Sequence, residues 1–80
     1  MGRHQTRFAD PQPVFERTAA RLREARASKN LTLREAAAVA GTTRQTLGLV
    51  EKARRSPTVN ELEMLAALYQ RTVSWILGYE

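Results

Sequence analysis

Between Thr32 and Pro57 the chain reads TLREAAAVAGTTRQTLGLVEKARRSP, two short helical patterns divided by one tight break. Nothing else in the sequence constrains the fold as strongly. Ala36, Ala37 and Ala40 give the first pattern an inner face of small residues. Gly41 breaks it, Thr42-Thr43 supplies an N-cap, and Leu47 and Val50, three residues apart, give the second pattern an inner face of its own. The outer flank of the second helix then shows Arg44, Gln45, Gly48, Leu49 and Lys52. Arginine and glutamine at the start of an exposed helix are the side chains that form paired hydrogen bonds with base edges. The spacing predicts a helix-turn-helix, with one helix over about 33–40 and a second, DNA-facing helix over about 43–52.

Size and composition narrow the function classes. An 80-residue chain buries only roughly 60% of its unfolded surface, which leaves little room for an enclosed active-site cavity. There is no cysteine, and the single histidine, His4, sits in a polar stretch, so neither a disulfide framework nor a zinc cluster is expected. Paired carboxylates in a pocket, a Ser/His/Asp set and a phosphate-binding glycine loop are all missing from the sequence, which predicts a protein without catalytic activity or cofactor. The formal charge is +5 and unevenly spread: residues 1–55 hold twelve Lys/Arg against five Asp/Glu, and residues 56–80 hold one against three. Positive charge gathers around the turn motif, as a phosphate-facing surface requires. No apolar run approaches the ~20 residues of a membrane span and no signal peptide is present, so the expected location is cytoplasmic.

Residues 1–12 read as a flexible basic arm and residues 13–80 as one domain. Asp10-Pro11 or Gln12-Pro13 starts a helix, because the first turn has no partner for a proline N–H in any case. Phe15, Ala19, Leu22 and Ala25 then recur at helical spacing, with Arg17, Arg21, Arg23 and Glu24 mostly outward, and Asn30 ends the helix in a left-handed conformation. Thr32 and Glu35 form a capping box for the next helix. After the break at Ser56-Pro57 a helix runs from about Val59 or Asn60 to Tyr69, with Leu62, Leu65 and Leu68 inward. Thr72 caps a final short helix through Leu77, and Gly78 terminates it. The sum is all-α: five helices, one core, no strand. Trp75, Ile76 and Leu77 compete for the inner face of that last short helix, which leaves apolar surface near Tyr69, Trp75 and Tyr79 as a dimer contact.

Five stretches, in this order and spacing, resemble the Cro/C1-type (XRE) helix-turn-helix family, the fold of lambdoid phage repressors: RLREAR (21–26), LTLREAA (31–37), GTTRQTL (41–47), VEKARRSPT (50–58) and TVSWILG (72–78). The resemblance implies a compact, five-helix, lambda-repressor-like DNA-binding domain. It implies that Arg26 pairs with Glu51 and ties the DNA-facing helix to the scaffold. It puts Arg44, Gln45 and Leu49 at base edges, and Thr43, Thr46, Lys52, Arg54 and Arg55 at backbone phosphates. In concrete terms Gln45 meets an adenine, and Arg44 a guanine or a flanking phosphate. Leu49 either touches a thymine methyl or packs against Arg26 or a neighbouring loop.

Three departures from the family pattern matter. Leu33 stands where a phosphate-gripping glutamine is frequent, so Arg34 is expected to take over that contact. Ala53 stands where glycine commonly leaves the helix with positive φ. An alanine there costs about 1 kcal/mol, so the helix is expected to run on toward Arg54. Gly48 replaces a frequent serine at a helix-propensity cost of roughly 1 kcal/mol, and lets the backbone approach the groove wall. The function implied is sequence-specific regulation of transcription, by repression, through a homodimer on a pseudo-palindromic operator with half-sites ~34 Å apart. The alternative is an antitoxin-like or adaptor protein that holds a protein partner and autoregulates, or the DNA-binding module of a longer protein.

Overall fold

The computed structural model describes residues 12–80, with side chains from Phe15 onward; the expected basic arm lies outside the described residues but for Gln12. Five helices follow one another: α1 (Gln12–Ser28), α2 (Leu33–Ala40), α3 (Arg44–Glu51), α4 (Val59–Tyr69) and α5 (Val73–Ile76). Among the described residues there is no strand, and no helix is long and apolar enough to cross a membrane.

The chain punctuates these helices with one device at each end. Threonine caps every N-terminus from α2 onward: the hydroxyls of Thr32, Thr43, Thr58 and Thr72 accept from the N–H groups of Glu35, Thr46, Glu61 and Trp75. At α2 and α4 the partner is a glutamate that reaches back to the cap N–H, completing a capping box. Each C-terminus ends on one left-handed residue: Asn30, Gly41, Ala53, Gln70 and Gly78 all have positive φ. The N–H that follows each of them turns back five residues, from Leu31 to Arg26 O, Thr42 to Ala37 O, Arg54 to Leu49 O, Arg71 to Ala66 O and Tyr79 to Ser74 O. Orphan carbonyls of the last turns are satisfied in this way.

Two expectations need correction here. Helix α3 does not run on toward Arg54: Lys52 is its C-cap and Ala53 takes φ 60. The bonds gained by closing the turn at Leu49 and Val50 outweigh the alanine strain. Tyr69 is not surface for a dimer contact. It is 1% exposed and is the largest fully buried side chain among the described residues.

The core joins all five elements: Leu22 and Ala25 of α1, the three alanines of α2, Leu47 and Val50 of α3, Leu65, Ala66 and Tyr69 of α4, and Ile76 of α5. Small residues on α2 let α3 and α4 pack against it closely, and truncating one of the buried leucines costs about 2–5 kcal/mol. In α4 only Leu65 of the three inward leucines is fully buried; Leu62 and Leu68 are half-buried at its margin. Of the residues competing on α5, Ile76 takes the core position while Trp75 lies half-buried between two guanidinium groups, Arg21 at 4.5 Å and Arg71 at 4.1 Å from its ring centre. Arg21 also donates to Trp75 O, and Arg17 donates to Leu77 O through Nε and Nη2. Gly78 is demanded at this seam: its φ is +87, and a Cβ there would fall 2.3 Å from Arg17 Nε.

Candidate nucleic-acid interface

Helix α3 carries two opposed stripes. Leu47, Val50 and Glu51 are buried, an i, i+3, i+4 set on one flank. Gln45, Gly48, Leu49 and Lys52 form the i, i+3, i+4, i+7 set on the other. With Arg44 and Leu33 from the start of α2, that second set lines an open groove of about 540 Å³. Four residues expected at DNA, Arg44, Gln45, Leu49 and Lys52, are therefore brought to one concave surface.

What fixes the inner flank is a pair of arginines from α1. Arg26 donates from Nε to Glu51 Oε2 at 2.8 Å and from Nη2 to Glu51 Oε1 at 2.9 Å. Its remaining nitrogen, Nη1, donates to Leu31 O at 3.0 Å, joining α3 to the α1–α2 turn as well. The Glu51 side chain is 5% exposed and that of Arg26 23%, so the fork-to-carboxylate geometry works in a largely water-free setting. The hydrogen bonds to Glu51 hold the Arg26 guanidinium above its ordinary pKa, against the opposing pull of burial. Arg23 donates to the backbone carbonyl of Glu51. Together with Lys52, Ala53 and Arg54 N–H groups on Gly48, Leu49 and Val50 carbonyls, this satisfies the whole last turn of α3. Reading Arg23 as an outward residue missed this role. The available signal was its spacing of three from Arg26, which puts both on the same flank of α1.

Tyr69 lies under this clamp. Its hydroxyl finds no hydrogen-bond partner among the described residues. Burial, and next the nearby Glu51 carboxylate, push its pKa up to about 12, with Arg26 opposing.

The remaining candidates divide by what they already hold. Arg34, Arg44, Lys52 and Arg54 are exposed. Arg55 is half-buried and donates to Glu61 Oε1 at 3.3 Å, the same oxygen that accepts from the Thr58 N–H. Thr43, besides capping α3, donates its hydroxyl to Thr46 Oγ at 2.9 Å. The Thr46 hydroxyl proton is thereby left for an acceptor in front of the helix. Leu49, 40% exposed, lines the groove rather than being covered by Arg26. Leu33 and Gly48 line it too; the sequence places Gly48 on this flank but assigns Leu33 no contact.

A helix-turn-helix family model matches residues 22–76. The chain belongs to the helix-turn-helix family. It is a DNA-binding transcription regulator of the XRE type. Among solved structures, the restriction-modification controller protein C.AhdI from Aeromonas hydrophila superposes with a TM-score of 0.76 at 25% identity, over 84% of this chain and 97% of that one. No curated protein matches in sequence. Helix-turn-helix proteins of this fold take double-stranded DNA as partner.

Proposed function

We propose that this helix-turn-helix regulator recognises an operator by inserting α3 into the major groove, and that it acts as a repressor by occupying that site. The observation that carries the reading is the opposition of the two stripes on α3. The inner one is locked by the Arg26–Glu51 fork, and the outer one presents Arg44, Gln45, Leu49 and Lys52 in an open groove. In this reading Gln45 pairs with an adenine, Arg44 with a guanine or flanking phosphate, and Leu49 meets an apolar base edge. Arg34, Thr46, Lys52 and Arg54 meet phosphates, which set register without carrying sequence information. Thr43 contributes mainly by capping the helix, and Arg55 by bracing the loop through Glu61.

The operator is pseudo-palindromic and the working unit a homodimer. Two half-sites one helical turn apart match a two-fold pair of these domains, and Tyr79, 67% exposed, with the half-buried Trp75, supplies apolar surface for the contact. Likeness to a restriction-modification controller protein supports control of gene expression as the role. Selection of duplexes from a random pool, followed by sequencing and gel-shift titration, tests the reading. A recurrent motif with two related halves is the expected result, and Gln45→Ala should cost about 1–3 kcal/mol at one base pair. Equal loss on selected and random duplexes would mean that α3 is not the reading element.

A further inference from the structure

The groove on α3 is not uniform. Its rim is cationic and polar, with Arg44 and Gln45 toward one end and Lys52 toward the other, while its middle is apolar: Leu33, Gly48 and Leu49. Position 48 has no side chain, so the helix surface carries a notch there. A Cβ built on Gly48 would sit 3.4 Å from Leu33 Cδ2, which makes the Leu33 methyl one wall of the notch at van der Waals range. Leu49, on the same flank, leaves 40% of its surface in water. An apolar notch with a polar, cationic rim asks for a ligand that is anionic overall yet offers one small apolar group. In the major groove of duplex DNA that group is the C5-methyl of a pyrimidine.

We infer that Leu33, Gly48 and Leu49 form a receptor for a pyrimidine C5-methyl group, and that these three residues set base preference beside the position read by Gln45. The inference rests on the placement of α3 in the major groove. Thymine and 5-methylcytosine offer the same methyl at the same ring position, so the notch recognises the shared group. What surrounds the methyl, O4 or the N4 amino group, is left to the polar rim. Gly48 matters for what it omits: a Cβ at this position would stand in contact with Leu33 and take up room in the notch.

The test uses the full chain and the duplex it selects from a random pool. Each thymine is replaced singly by deoxyuridine, which deletes the methyl and keeps the pairing; each cytosine is replaced singly by 5-methylcytosine. One position per half-site should respond, with affinity changing about fourfold per half-site when one methyl-sized apolar group is lost or gained. A response at thymine names thymine as the source, and one at cytosine names 5-methylcytosine; either supports the receptor. Gly48→Ala, which puts a methyl in the notch and raises helix propensity, should fold at least as stably and bind methylated and unmethylated duplexes equally. Leu33→Ala, which removes a wall, should also shrink the ratio. A selected duplex indifferent to methyl at every position, or a methyl effect that survives Gly48→Ala, overturns the inference and leaves DNA reading by α3 intact. Failure of the wild-type chain to select any duplex sinks both.

Discussion

Glu51 and Glu61 are both buried carboxylates held by an arginine, yet their partners have different prospects at DNA. Arg26 is fully committed, with three nitrogens bonded, while Arg55 makes one contact to Glu61 and Arg54 beside it is exposed. Arg54→Ala should therefore flatten the salt dependence of binding by nearly one unit of slope on any duplex. Arg55→Ala should change the slope less and cost under about 1 kcal/mol of stability, the range of a partly exposed pair; titrations at several salt concentrations separate the two. Tyr69 yields a prediction in pH. An ordinary phenol ionises near 10, and the buried one is pushed up to about 12, so between these values the unfolded chain loses a proton that the folded chain keeps. Stability attributable to Tyr69 is complete below pH 10 and falls by about 2–3 kcal/mol as pH rises to 12. Tyr69→Phe should flatten that fall in alkaline denaturation curves, and at pH 7 should be neutral or slightly stabilising, because the hydroxyl it removes has no partner among the described residues.

At the scale of elements, the molecule repeats two solutions, a threonine at the start of a helix and a left-handed residue at its end. The starts were legible because a threonine hydroxyl satisfies an N–H three residues on whatever surrounds it, although Thr58 with Glu61 forms a second capping box as complete as the one read at Thr32 and Glu35. The ends were legible where the residue type is tolerant, at Asn30, Gly41 and Gly78. They were not legible at Ala53 or Gln70, where the left-handed conformation is imposed by the direction in which the next element must leave. Ala53→Gly should relieve about 1 kcal/mol of strain, partly offset by the greater freedom of glycine in the unfolded chain. Chemical denaturation should show a net gain of about 0.5 kcal/mol, and a loss would mean that Ala53 is held by packing that outweighs its backbone strain.

At the scale of the whole molecule, α1 is the spine. Arg17 and Arg21 engage the α5 end of the fold, while Arg23 and Arg26 hold the end of α3. Residues 21 and 23 are two steps apart, about 200° around a helix, so one helix secures the C-terminal seam on one side and the DNA-facing helix on the other. That arrangement keeps the proposed dimer contact around Tyr79 away from the groove on α3. Tyr79→Asp should accordingly weaken self-association in sedimentation and reduce binding to a two-half-site duplex, while affinity for an isolated half-site stays unchanged. A variant that loses half-site affinity as well would show that Tyr79 serves the domain rather than the pair.

The helices, their order and the two flanks of α3 can be read from local pattern, because they follow from period, caps and breaks that act within a few residues. The sequence also marked Arg44, Gln45, Leu49 and Lys52, since spacing alone puts them on one side of a helix. That Tyr69 is the heart of the core, that Arg23 closes the last turn of α3, and that Leu33 of α2 comes to face Gly48 of α3 emerges only once the chain is folded. Each of those depends on how two elements distant in the chain cross. Crossing is set by the packing of all five helices at once, which no local pattern encodes.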